Sequence, residues 1–274
     1  MALENGSAHY ENGTAHTKAN TSVKRLSTAS NGSYKAPLEL VTFYVGEDSE
    51  GFSVHEEFAA HYSPVLREAF SKCAEGDPKT FGLDDTPKRA FQLLVQWLYS
   101  QTFELMTEDE YGEGSSSVGD DTTDSGSQLV LYQARSEMGV SEDEEELEDL
   151  DAIEDAFKSK QMRLVELWVL ADKLCIPILQ NMVVDEIIRH CNKLNFVATS
   201  SLHHIYDKTG SGSQLRRLVT QQCAWELAEE WFEEHPDHFP REMLVDMIVE
   251  LKRNPQGAMQ PVLATSFHLP VDDG

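Results

Sequence analysis

The chain reads as an α+β fold: a small sheet with a helical cluster, interrupted by an acidic disordered insert and followed by a C-terminal helical extension. Three observations predict it. Alternating β-branched and aromatic residues around Leu38–Val45 and Phe52–Val54 carry strand periodicity, and apolar residues recur at three-and-four spacing from Phe91 onward. Two apolar stretches, Leu38 to Phe103 and Leu164 to Val184, flank a polar, acidic insert of roughly sixty residues, longer than a compact domain buries as a loop. The two halves are therefore expected to close on each other across it. The divisions are a disordered tail at 1–35, a core domain at 36–193 with the insert at about 104–160, a helical extension at 194–254 and a C-terminal tail at 255–274.

Residues 1–35 hold few large apolar side chains, too few to offset the entropy of ordering. Their Asn-Gly-Ser and Asn-Gly-Thr sequences match the glycosylation acceptor pattern, but they read as part of a small-residue tail. Order begins at Pro37. Leu38, Leu40, Thr42 and Tyr44 alternate with Glu39, Val41, Phe43 and Val45, both sets largely apolar, which predicts a buried or interface strand ending at Gly46. Glu47 to Gly51 is turn chemistry, so Phe52-Ser53-Val54, closed by His55, completes a hairpin. Glu56 to His61 and Pro64 to Cys73 follow as two short helices, with Ser63 as the N-cap of the second and Pro64 at its first position.

Phe81-Gly82-Leu83 is a third strand. Thr86-Pro87 repeats the cap-and-proline start before a helix to about Ser100, whose Phe91, Leu94, Val95 and Leu98 form one stripe flanked by Trp97 and Tyr99. The spacing of Leu164, Leu167, Trp168, Ala171 and Cys175 predicts a helix over 161–174, and Pro177 opens another carrying Ile178, Leu179, Met182, Val183 and Ile187. In the extension, helices are predicted around Phe196 to Tyr206, from Ser213 through Trp231, and from Pro240 through Leu251, as a small appended bundle. Prolines at 255, 261 and 270 predict an extended tail.

Composition narrows the function classes. The net charge is −26, from 48 acidic against 22 basic residues, which repels phosphate backbones and anionic lipid headgroups and disfavours direct nucleic-acid binding or membrane association. Nineteen acidic and three basic residues lie between Glu104 and Lys160, where Glu113 to Gln128 is nearly all Gly, Ser, Thr and Asp. Within the insert, Glu142 to Asp155 reads as a transient acidic helix held open by self-repulsion, and as a segment that can bind basic proteins. Ser141, followed by acidic residues, suits an acidophilic kinase, and Lys24-Arg25-Leu26-Ser27 a basophilic one. Cys73, Cys175, Cys191 and Cys223 form no C-x-x-C pair and are expected as reduced, mostly buried thiols. With no apolar leader and no run of apolar residues long enough to span a bilayer, the expectation is an intracellular protein, cytoplasmic or nuclear.

Val45-Gly46, Phe52-Ser53-Val54-His55, Ser63-Pro64-Val65-Leu66, Phe91 to Tyr99 and Leu170-Ala171-Asp172-Lys173-Leu174, in that order, resemble the BTB/POZ family over about Pro37 to Cys191. Ile176-Pro177-Ile178-Leu179-Gln180-Asn181 and the long acidic interruption look like its fungal branch. The resemblance implies a small sheet surrounded by helices, with His55, Ser63, Trp97, Tyr99, Ala171 and Asp172 as structural motif residues. It also implies a surface for self-association and for partners, since many members are substrate adaptors of cullin ubiquitin ligases and others assemble transcription complexes. Phe103, Leu105, Met106 and Glu108 are then the candidate partner-binding residues, with Met106-Thr107-Glu108 fitting the loose hydrophobic-x-Glu pattern of cullin binders. One departure concerns the homodimer. A basic residue commonly follows the strand-end His in dimeric members, whereas Glu56 follows His55 here, and Glu39 at the acidic position would set two like charges side by side.

Catalytic chemistry has no recognisable carrier. There is no G-x-S-x-G, P-loop or H-E-x-x-H sequence. His203 and His204 are adjacent on a helix and diverge by about a hundred degrees, which argues against shared metal binding. His235-Pro236-Asp237-His238 could converge in a loop, with Cys223 the nearest further ligand on paper, but an interhelical turn accounts for it. His55, between a strand and a helix, is expected to hold that corner by hydrogen bonding to backbone. No catalytic, cofactor or metal site is predicted. The expected function is a non-catalytic interaction module, with a self-associating scaffold or an acidic binder of basic proteins as the other readings.

Overall fold

The computed structural model describes residues 39–74, 78–105, 144–194, 197–254 and 263–271. All of them fall in one unit, Ala36–Gly274. The expected tail at 1–35, most of the insert, Phe196 and the prolines at 255 and 261 lie outside the described residues. Within these limits the fold is mixed α+β, a small sheet against a cluster of helices.

Strands β1 (Leu40–Val45) and β2 (Glu50–His55) pair antiparallel, with Val41 opposite Val54 and Phe43 opposite Phe52. Their connection turns through Gly46 at φ +74, a left-handed conformation that a residue without Cβ adopts at little cost. Strand β3 (Thr80–Leu83) adds parallel to β1, so the sheet order is β2-β1-β3. Alternation then decides the faces. Val41, Phe43, Val45, Val54 and Leu83 are buried under the helices, whereas Leu40 and Tyr44 on the opposite face are 53% and 43% exposed. Of the two readings of β1, a buried or an interface strand, the first holds for one face: among the described residues helices cover the side of Val41, Phe43 and Val45, and Leu40 and Tyr44 stay exposed.

Between β2 and β3 the chain forms α1 (Glu56–Tyr62) and α2 (Pro64–Ser71), and after β3 it forms α3 (Lys88–Ser100). Pro87 is itself the N-cap of α3, so Thr86 does not cap it as predicted. The buried residues of α3 are Ala90, Phe91, Leu93, Leu94, Trp97 and Leu98. Trp97 is thus part of the core rather than a flank, and Val95 is only half-buried.

Helix α4 (Glu144–Lys173) is longer than the helix read over 161–174: it runs back without a break through the segment that the sequence reading gives as a separate, transient acidic helix within the insert, Glu142 to Asp155. One contact explains the extension: Phe157 is 3% exposed and stacks on His190 with ring centroids 4.2 Å apart, which anchors this part of the helix to α5 (Pro177–Leu194). Between α4 and α5 the chain reverses through Cys175 at φ +53. The Ile176 amide donates to the Ala171 carbonyl and the Cys175 amide to that of Asp172, a Schellman cap with cysteine where glycine is usual. Cys175 is therefore exposed, unlike the buried Cys191 and Cys223, and Cys73 is intermediate; the expectation of mostly buried thiols holds for two of the four.

The extension comprises a 3-10 turn Thr199–Ser201, α6 (Leu202–Lys208), α7 (Gln214–Glu226), α8 (Glu229–Glu234), a 3-10 turn Pro236–His238, and α9 (Arg241–Arg253). The predicted helix from Ser213 through Trp231 ends at Glu226, because Leu227 and Ala228 turn extended. That break lets the Trp231 indole reach Thr199 Oγ1 at 3.2 Å. Arg216 of α7 is the main polar tie: its guanidinium donates to the carbonyls of Tyr206 and Thr209, to Thr209 Oγ1 at 3.1 Å and to Glu242 at 3.0 Å, and lies 4.3 Å over the Tyr206 ring. Leu202, Leu215, Leu218 and Met243 join the same buried cluster as Val41 and Trp97, so these helices continue the core instead of forming an appended bundle.

The C-terminal segment is also corrected. In place of an extended tail, Ala264–Phe267 forms a 3-10 turn and Phe267 is 1% exposed against α5 and α7. The Leu269 amide donates to Asn181 Oδ1 at 2.6 Å and the Asn181 amide returns a bond to the Leu269 carbonyl at 2.9 Å, while His268 meets Asp185 at 2.7 Å. Burying an aromatic ring outweighs the extended bias of the nearby proline.

Two stability predictions follow from these helices. Cys175→Gly is expected to raise stability by about 0.5–1 kcal/mol in urea titration, because glycine relieves the left-handed strain. Burial beside Phe157, with Nε2 shielded and unpartnered, lowers the His190 pKa from 6.5 to about 4. The unfolded chain therefore takes up this proton first as pH falls. The neutral ring's stabilisation is complete above pH 6.5 and is lost as pH drops toward about 4. Melting temperatures across that window should fall less steeply for His190→Phe than for the natural chain.

Candidate interaction surface

The predicted motif residues divide into those that close the core and those that reach its surface. Ser63 does the first. Its Oγ accepts the Leu66 amide at 3.1 Å, capping α2 as the sequence predicts, and donates to the Leu174 carbonyl at 2.6 Å. That carbonyl belongs to the C-cap of α4, so one fully buried hydroxyl joins a helix start before the insert to a helix end after it. Trp97 crosses the same gap: its indole donates to the Met182 sulfur of α5 at 3.2 Å and packs against Tyr62 at 4.8 Å. Ala171 is fully buried where α4 meets the core. Asp172 is exposed and accepts from the Gln180 amide at 3.0 Å, so it ties α4 to α5 rather than pointing to a partner.

His55 and Tyr99 form the surface corner. The Tyr99 hydroxyl accepts the His55 backbone amide at 3.1 Å and lies 2.7 Å from His55 Nδ1. The partner of His55 is thus a side-chain hydroxyl on α3 and not the backbone that sequence reasoning expected. Phe58 completes the cluster, 4.9 Å from Tyr99 and 6.0 Å from His55. Leu40 sits directly opposite His55 across the hairpin, which puts both on the open face of the sheet. Leu40, Tyr44 and Tyr99, each more than two-fifths exposed, therefore mark a surface running from the sheet to the corner.

At the rim of that surface lies a pair of bonds that the sequence did not disclose. Lys79 donates to Glu56 at 2.5 Å and to Glu39 at 3.0 Å, placing one ammonium between the two carboxylates that appeared to repel each other. The Glu56 hydrogen bond, followed by that of Glu39, raises the Lys79 pKa, and Lys79 holds the Glu39 carboxyl below its ordinary range. The like-charge departure is therefore compensated. Lys79 lies 40 and 23 residues from its partners, beyond the reach of any local motif.

Of the candidate partner-binding residues, Phe103 and Leu105 are half-buried and pack against the core, with the Glu104 amide held by Gln96 at 3.1 Å. Met106 and Glu108 lie outside the described residues. Among the described residues no group of three His, Cys, Asp or Glu side chains gathers to hold a metal, and no helix is long and apolar enough to cross a membrane. Cys223 and Cys191 are free and buried, and burial raises both thiol pKa values, that of Cys191 to about 12.

Ser63→Ala is expected to cost about 2 kcal/mol in urea titration, since it removes a cap and leaves the Leu174 carbonyl without its donor. No protein-family model matches the chain, and no curated protein matches it.

Proposed function

We propose that the chain is a non-catalytic protein–protein interaction module of the BTB/POZ type, serving as a substrate adaptor of a cullin ubiquitin ligase. The observation that carries this reading is the side of the sheet that the described helices leave open, with Leu40, Tyr44 and the Tyr99 corner exposed on a core that Ser63 and Trp97 hold closed. Large apolar side chains fixed on rigid elements can anchor a partner with little ordering cost. The order of motif residues along the chain supports the family, and Phe103 to Glu108 is the segment assigned to the cullin. Pull-down with the N-terminal region of a cullin at physiological salt is expected to recover a complex, weakened at least roughly tenfold by the double substitution Met106→Ala, Glu108→Ala. Recovery of no cullin by the natural chain rejects the adaptor reading.

A second reading, a self-associating scaffold or transcription-complex component, is favoured by Lys79. With both Glu39 and Glu56 paired to it, the charge objection to a homodimer falls away. Light scattering at micromolar concentration should then give twice the monomer mass, and Tyr44→Lys should return it to the monomer value. A monomer for the natural chain rejects this reading.

A further inference from the structure

Residues 263–271 lie against α5 and α7 in the way a short peptide lies on its receptor. Phe267 is their one buried side chain, 1% exposed, while Leu263 and Val271 at the two ends are 61% and 38% exposed. The segment closes its own turn, the Ser266 amide donating to the Leu263 carbonyl at 2.9 Å, and its backbone becomes extended at His268. Its side-chain contacts with the body of the protein then come from Asn181 and Asp185, one turn apart on α5, and from Arg217 on α7.

Asn181 reads main chain. Its carboxamide accepts the Leu269 amide at 2.6 Å and donates to the Leu269 carbonyl at 2.9 Å, the pair of bonds that a neighbouring β-strand would supply. Every residue except proline offers that amide and carbonyl, so this pair fixes direction and register without selecting a sequence. The two remaining contacts read side chains. The Phe267 ring is enclosed with the Arg217 guanidinium 5.7 Å from its centroid, and Asp185 meets His268 Nε2 at 2.7 Å. An imidazole makes an ion pair with Asp185 only when protonated, whereas a guanidinium or ammonium is charged throughout the physiological range. Asp185 is therefore better matched by a basic residue than by the histidine this chain supplies.

We propose that the surface between α5 and α7 is a peptide-binding site for an aromatic residue followed by arginine or lysine, and that residues 263–271 are its tethered occupant. The partner is a segment of another protein with that pattern. It inserts its aromatic side chain where Phe267 sits, gives its main chain to Asn181 and sets its cation against Asp185. The net charge of −26 attracts such a basic segment from a distance. The occupant sets a threshold for it. Linked to α9 through residues 255–262 alone, the segment is held near its site at an effective concentration on the order of millimolar, which a free peptide must outcompete.

The test titrates a dye-labelled peptide of residues 263–271 with the full chain, natural or carrying Phe267→Ala, and reads fluorescence anisotropy. The peptide should bind the Phe267→Ala chain at least roughly tenfold more tightly than the natural chain, because the substitution weakens the competitor and leaves Asn181 and Asp185 in place. Adding Asn181→Ala to that chain should cost about tenfold, the loss of the two main-chain bonds. A peptide with Phe267→Ala should show no saturation, and one with His268→Arg should bind about threefold more tightly than the natural peptide, the increment of an exposed ion pair. Equal or weaker binding of the His268→Arg peptide overturns the basic partner. No saturable binding to the Phe267→Ala chain overturns the site. Should that chain fail to fold, a full chain with a specific protease site in place of residues 255–262 decides. After cleavage its far-UV circular dichroism should be unchanged, and excess His268→Arg peptide should displace the cleaved segment. A body that unfolds on losing the segment, or never releases it, assigns residues 263–271 to the core and overturns the proposal.

Discussion

One hydroxyl group governs how this chain closes. Ser63 lies before the long acidic stretch and Leu174 after it, 111 residues apart, yet their hydrogen bond is buried and short. Helix ends carry unsatisfied amides and carbonyls, and a helix end inside a core must find partners for them. Ser63 satisfies one of each: an amide at the start of α2 and a carbonyl at the end of α4. The two halves are thereby fixed at a point where a misplacement of one residue would strand two polar groups away from water. Apolar burial around Trp97, Leu164 and Leu174 supplies the driving force, and the hydroxyl supplies the register.

Charge acts in this fold by position more than by sum. Lys79 shows this at the sheet edge, where one cation lies between two carboxylates, and Arg216 shows it in the extension, where a nearly buried guanidinium ends on carbonyls and on Glu242. A strongly acidic polypeptide therefore places its few cations where carboxylates and carbonyls need them, which net charge alone does not describe.

How far the sequence discloses this depends on distance along the chain. The hairpin, the Ser63 cap and the stripe of α3 were legible because alternation, turn residues and three-and-four spacing are written within a few residues. His55 was legible as a corner residue, but its partner, Tyr99, is 44 positions away and cannot be inferred from a strand end. The first part of α4 was legible only as a separate, transient acidic helix; its continuity with the helix after Gln161 was not, because the Phe157–His190 stack that anchors it exists only once α5 is in place. Phe267 failed for a related reason: a lone aromatic among prolines looks like tail until a niche between two helices receives it. Among the candidate site residues, Ser63, Trp97 and Ala171 proved to be interior, while Tyr99 and Asp172 face outward.

The returning C-terminal segment has a practical consequence. Phe267 fills its niche, and Asn181 and Asp185 are matched by Leu269 and His268, so a chain cut back to α9 would open a greasy hole and orphan a carboxamide on α5. Trimming that looks harmless from residue numbers would create a sticky molecule. Affinity handles belong beyond the last pinned residue, and any recombinant boundary drawn at the end of the long helices would remove a structural plug along with the peptide that carries it.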